Sequence, residues 1–169
     1  SDLEVSHFDV QAIGRGFGID LLQQDRFKSD LNATFDVKGS GGGVTYPLTI
    51  DATGTAVDSK MFGASFPRMD FTTDIANGDV HVKAIGQFSH LDPSIPTANE
   101  KLAGMVDGAV DVDTTIRNFA NGVTVDSFDA TGRVNLANST LGDFKIDSAV
   151  VDGTYSNRAG ELNQLTIDR

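Results

Sequence analysis

Two tracts of this chain carry the same landmarks in the same order, each set in strand-like alternation. Ser6-His7-Phe8-Asp9 returns as Ser89-His90-Leu91-Asp92, an offset of 89 − 6 = 83 residues. Leu31-Asn32-Ala33-Thr34-Phe35-Asp36-Val37 is echoed by Val106-Asp107-Gly108-Ala109-Val110-Asp111-Val112, an offset of 106 − 31 = 75. Asp51-Ala52-Thr53-Gly54 matches Asp129-Ala130-Thr131-Gly132 at 129 − 51 = 78, and Phe62-Gly63 matches Leu141-Gly142 at 141 − 62 = 79. Offsets that drift while order is kept mark units whose loops vary in length. Such a unit does not bury its own apolar face and completes it by stacking on its neighbours. The expected organisation is two units, about residues 6–88 and 89–169, forming one internal segment of a longer repeat protein.

Alternation with a period of two predicts strands nearly throughout. Leu31, Ala33, Phe35 and Val37 face one way, and Asn32, Thr34, Asp36 and Lys38 the other. Tyr46, Leu48, Ile50, Ala52, Gly54 and Ala56 continue the apolar face, followed by Phe66, Met69, Phe71 and Ile75, then Val80, Val82, Ala84, Gly86 and Phe88. The longest run, Leu102 to Ile116, places Val106, Val110, Val112 and Ile116 together. Phe128, Val134, Leu136, Phe144, Ile146, Val151 and Tyr155 follow, and Leu162, Leu165 and Ile167 close the chain. Parity flips beside Pro67 and again between Ile146 and Ala149, which predicts bulges. Asn77-Gly78, Asn121-Gly122 and residues 156–160 read as turns. The helix candidates are Gly18 to Lys28 and Thr97 to Ala103, the latter with Thr97 as N-cap and Glu100 three residues on. The fold class is all-β and antiparallel, with one or two short helices.

The charge balance narrows the partners. Thirteen Lys and Arg against 24 Asp and Glu leave a net charge of −11, so phosphate backbones and anionic membrane surfaces are repelled. With no cysteine, thiolate chemistry, disulfides and cysteine-bound zinc are excluded. His7, His81 and His90 are not spaced as a metal or acid–base set. Asp107, Asp111 and Asp113 share a strand face without the glycine loop of a calcium site. Gly14-Arg15-Gly16-Phe17-Gly18 lacks the spacing of a phosphate loop and reads as a turn. No catalytic residue, metal site or cofactor is predicted, and no enzyme activity.

The apolar face is unusual because large side chains alternate with Ala52, Gly54, Ala84, Gly86, Gly104, Gly108, Gly132 and Gly153. Small residues inside strands mark sharp curvature or close approach of another group. Together with the Asp-Ala-Thr-Gly strands, the stretch Gly132 to Gly142 and the strand Ile146 to Tyr155 resemble AsmA/TamB-type proteins of the Gram-negative envelope. The resemblance covers the chain from about Leu31 onward. It implies a repeat-built, strongly curved sheet folded into a half-open groove, a β-taco, whose apolar inside shelters phospholipid acyl chains between inner and outer membranes. The location it implies is the periplasm, in an inner-membrane-anchored protein, with membrane contact made by other parts of that protein and neighbouring repeats joined by sheet continuation. The groove lining would be Phe35, Val37, Leu48, Ile50, Phe66, Phe71, Ile75, Val80 and Val82 in the first unit. In the second it would be Val106, Val110, Val112, Ile116, Phe128, Val134, Leu136, Phe144, Ile146, Val151 and Tyr155. The rival reading is a structural or adhesive β module with a filled core and no ligand.

Overall fold

The computed structural model describes residues 1–45 and 47–169, so the expectation for Tyr46 lies outside the described residues. Nine strands form one sheet in chain order: β1 (Asp2–Phe8), β2 (Ser29–Ser40), β3 (Thr49–Met61), β4 (Ala64–Ala76), β5 (Asp79–Leu91), β6 (Gly104–Ile116), β7 (Phe128–Leu141), β8 (Phe144–Ser156) and β9 (Ala159–Asp168). Each strand pairs antiparallel with the next, and β1 and β9 remain free edges. The fold is an open all-β meander.

Turn chemistry explains the tight connections. A two-residue hairpin that follows the native twist needs positive φ at both positions. Asn77-Gly78 supplies 54° and 79°, Phe62-Gly63 supplies 57° and 73°, and Asn157-Arg158 supplies 51° and 64°. Asn121-Gly122 makes no such hairpin. Residues 117–127 join β6 to β7 instead, with 3-10 turns at Phe119–Asn121 and Val125–Ser127.

A row of bulges crosses the sheet near one of its two rims. Pairing slips at Pro67, as the parity flip predicts, but the bulge predicted after Ile146 produces no slip: Ser139 pairs with Ile146 and Ala137 with Ser148 in one unbroken register. His7, Asp58, His90 and Asn138 sit in the left-handed region, with φ between 45° and 60°. Side chains hold these kinks. The Asn32 amide donates to Ser59 Oγ at 2.9 Å and the Asp107 amide to Ser139 Oγ at 3.1 Å. Both serines are only 2% exposed. The His7 amide donates to Asn32 Oδ1 and the His90 amide to Asp107 Oδ1, at 3.0 and 2.6 Å. Asp9 accepts from the Gln11 and Ser29 amides; Asp92 accepts from those of Ser94 and Gly104. Residues 7, 9 and 11 match 90, 92 and 94 at the 83-residue offset, 29 and 32 match 104 and 107 at 75, and Ser59 matches Ser139 at 139 − 59 = 80. The 78- and 79-residue offsets are not kept. Gly54 pairs with Phe35, whereas Val110, the residue 75 beyond Phe35, pairs with Val134. The two Asp-Ala-Thr-Gly segments are thus displaced by two residues, and the turn matching Phe62-Gly63 is Gly142-Asp143.

Both helices lie elsewhere than predicted. Helix α1 is Val10–Phe17, capped by Asp9 and ended by Gly18 at φ 66°, while Asp20–Gln23 and Asp25–Phe27 are 3-10 turns. Its glycines disfavour helix by about 1 kcal/mol each in isolation. Packing overrides them, since a Cβ on Gly14 would meet Leu22 Cβ at 2.9 Å. Helix α2 is Ser94–Thr97, so Thr97 ends a helix and does not cap one; its hydroxyl donates back to the Pro93 carbonyl at 2.6 Å. Asn99 caps the 3-10 turn Glu100–Leu102.

The sheet has little to pack against. The solvent-accessible surface is 10539 Å². A compact protein of 17.9 kDa exposes roughly 8,000 Å². Few apolar side chains are fully buried, among them Ala33, Ala56, Val80, Phe88, Val106, Ile146 and Ala149.

Candidate functional site

Register turns the alternation of single strands into apolar rows that cross the whole sheet. One row runs Leu3, Phe35, Gly54, Phe71, Ala84, Val112, Gly132, Gly153 and Leu162. The next runs Val5, Ala33, Ala56, Met69, Gly86, Val110, Val134, Val151 and Leu165. Neither contains a polar side chain. At about 4.8 Å between strands, each row is roughly 38 Å long.

Two glycines within the rows, Gly54 and Gly86, are not gaps. Phe35 and Phe71 flank Gly54 and stack with centroids 5.5 Å apart. A Cβ on Gly54 would come within 2.5 Å of Phe35 Cδ1, so the ring itself covers that position. Met69 likewise lies over Gly86, its Sδ 2.2 Å from where a Cβ would stand. The small residues let large neighbours lie flat across the sheet.

Over β1 to β4 the face is roofed. The amide of Val10, at the start of α1, donates to Ser29 Oγ at 2.7 Å on the bulged rim. At its far end Phe17 meets Phe119 edge-on, with centroids 5.7 Å apart. Phe119 belongs to the opposite rim, where its amide donates to the Gly78 carbonyl at 2.8 Å. Between roof and sheet lies a cavity of about 510 Å³. Val10 and Ile13 line it from above, and Leu3, Val5, Phe35, Phe66, Met69 and Phe71 from the sheet. That volume is within the roughly 300–1,000 Å³ of small-molecule sites.

The predicted lining residues divide by place. Phe35, Phe71 and Val112 stand in the first apolar row, and Val110, Val134 and Val151 in the second. Val37, Val82 and Tyr155 fall in a row shared with Thr73 and Thr114; Ile50, Ile75, Val80, Ile116 and Phe128 form the row beside the plain rim. Leu136 pairs with Gly108 and Ala149, while Phe66, Val106 and Ile146 lie near the bulges. Leu48 precedes β3 and is exposed, and Phe144 is exposed under the Arg169 guanidinium. The sequence reading missed Val10 and Ile13. Their i, i+3, i+7 spacing with Phe17, directly after a capping Asp9, is the signal that finds them.

The opposite face is mostly polar, with Ile85 exposed between Asp70 and Asp111. Arg68 pairs with Asp70 at 3.0 Å, Lys83 with Asp113 at 3.7 Å and Arg133 with Asp152 at 3.3 Å. His81 lies between Asp113 and Asp74, at 2.5 and 3.5 Å. Hydrogen bonds from Thr55 and then Arg68 hold the Asp70 carboxyl below its ordinary value. Asp107 caps a bulge amide and Asp113 pairs with Lys83, and among the described residues no group of three His, Asp or Glu is placed to hold a metal ion. No helix among them is long and apolar enough to cross a membrane, which says nothing of strands. We find no match to the chain among protein-family models, curated proteins or solved structures.

Proposed function

We propose that this chain is a segment of an AsmA/TamB-like envelope protein, repeat-built, whose apolar trough shelters phospholipid acyl chains during transport between membranes. The observation that carries the reading is the pair of apolar rows unbroken from β1 to β9. An acyl chain of about 16 carbons loses roughly 12 kcal/mol on entering water, at about 0.8 kcal/mol per CH₂. A trough that is apolar along its whole length recovers most of this at every point and has no polar step at which cargo would stall.

Two further observations support a curved, open trough. A flat strand of 13 residues holds the rims roughly 43 Å apart, while a helix of eight residues spans about 12 Å. The contact of Phe17 with Phe119 closes that gap only if the strands bend over the apolar face. The excess surface argues against a filled core. Matching contacts at Ser59 and Ser139, and at His7 and His90, support a repeated unit, and the free edges at β1 and β9 suit continuation of the sheet by neighbouring repeats.

A photoreactive residue at Val110 tests this. In cells it should crosslink to phospholipid, whereas one at Asp111, on the opposite face, should not. Equal crosslinking at both positions, or none at either, would overturn the reading. Native mass spectrometry of protein purified without detergent should show bound phospholipid.

A further inference from the structure

Helix α1 does not belong to the sheet, and its attachments are unequal. Its base is tied down by several bonds: Asp9 accepts from the Gln11 and Ser29 amides, and Ser29 Oγ accepts from Val10. Gln11 Nε2 adds bonds to the carbonyls of Gln23 and Gln24, so α1 and the following turns hold together as one piece. Its tip has one aromatic contact, Phe17 on Phe119, and Phe17 stays 68% exposed. The helix is also short and weakened by Gly16, where an added Cβ would meet nothing within 4 Å. Sterics do not require glycine there. Its effect is to keep the helix easy to deform.

We propose that α1 is a hinged strap, fixed at the bulged rim and latched to the opposite rim by Phe17 on Phe119, whose release admits an acyl chain sideways into the apolar chamber. The inference rests on the trough reading and adds its regulation. With the latch closed, the chamber under Val10 and Ile13 is reached only by threading along the rows. With it open, the chamber joins the uncovered remainder of the trough.

The absence of cysteine makes a direct test possible. Phe17→Cys and Phe119→Cys are combined in the full chain and joined by a short bifunctional thiol reagent that a reductant cleaves. Binding and release of a fluorescent C16 fatty acid are followed by stopped flow before and after cleavage. The linked protein should bind and release at least about tenfold more slowly, and cleavage should restore both rates. Gly16→Ala should slow both by about twofold to fivefold, as expected for a compatible glycine replacement. Linked and cleaved protein exchanging fatty acid at the same rate overturns the strap and leaves the trough standing. No binding by the cleaved and the unsubstituted protein overturns both.

Discussion

Residues 9–28 and 92–103 leave the same rim of the sheet from bulges held by the same contacts, yet they do different things. The first reaches over the apolar face, roofs a chamber and touches the far rim. The second makes a four-residue helix and stays at its own rim, where Ile95 lies beside the Phe62-Gly63 turn and the Pro96 carbonyl accepts from Arg26. One frame therefore carries a covered stretch over β1 to β4 and an uncovered stretch beyond it. The longer connection covers part of the apolar face, and the shorter one leaves the rest uncovered.

The largest expected effect tests whether the stretches differ in cover. Ala56 is 4% exposed under the roof, and Val110, its neighbour but two along the same row, is half-buried. Ala56→Glu buries an unpaired carboxylate and should cost about 4 kcal/mol or more, lowering Tm by roughly 10 °C. Val110→Glu reaches water and should cost about 1–2 kcal/mol, yet abolish fatty acid binding along the row. Calorimetry beside the binding measurement decides. Equal losses of stability would mean the two stretches are equally enclosed.

The two Asp-Ala-Thr-Gly glycines give the next contrast. Gly54→Ala drives a Cβ into Phe35 and should cost about 2–3 kcal/mol. Gly132→Ala meets Val112 Cγ2 at 3.4 Å and the Asp111 carbonyl oxygen at 3.7 Å, and should be neutral to within about 0.5 kcal/mol. Denaturant midpoints would show it; similar values would restore the tetrapeptides as equivalent. This pair also shows what the sequence could and could not tell. Alternation located the strands and the apolar face because a period of two survives in each strand separately. Asn77-Gly78 and the flip at Pro67 were legible because their cause is local. Register was not legible: a shift of two residues preserves facing, so identical tetrapeptides concealed their displacement. Helix α1 was hidden because Gly14 and Gly16 lower local propensity, while the contacts that offset them, at Leu22 and Ser29, are distant in the chain.

Where the stretches match, effects should match. Ser59→Ala and Ser139→Ala each leave a buried bulge amide, that of Asn32 or of Asp107, without its acceptor. Each should cost about 1–2 kcal/mol. A difference between them above about 0.5 kcal/mol would show that the bulges are not held alike.

The smallest effect is confined to the second connection. Asp92 accepts from the Ser94 hydroxyl, the Ser94 amide and the Gly104 amide, and these bonds hold its carboxyl below the ordinary aspartate value. A depressed pKa means that the folded form favours the carboxylate. Its stabilisation is therefore full above the unfolded value of about 3.9 and is lost as pH falls through the lower folded value. Below about pH 4 the Ser94 and Gly104 amide resonances should shift with this titration, and in Asp92→Asn the shift should vanish. Because the second connection roofs nothing, Asp92→Asn should leave fatty acid exchange at neutral pH unchanged. Faster exchange in that variant would mean that residues 92–103 also cover the trough, and the contrast between the covered and uncovered stretches would fail.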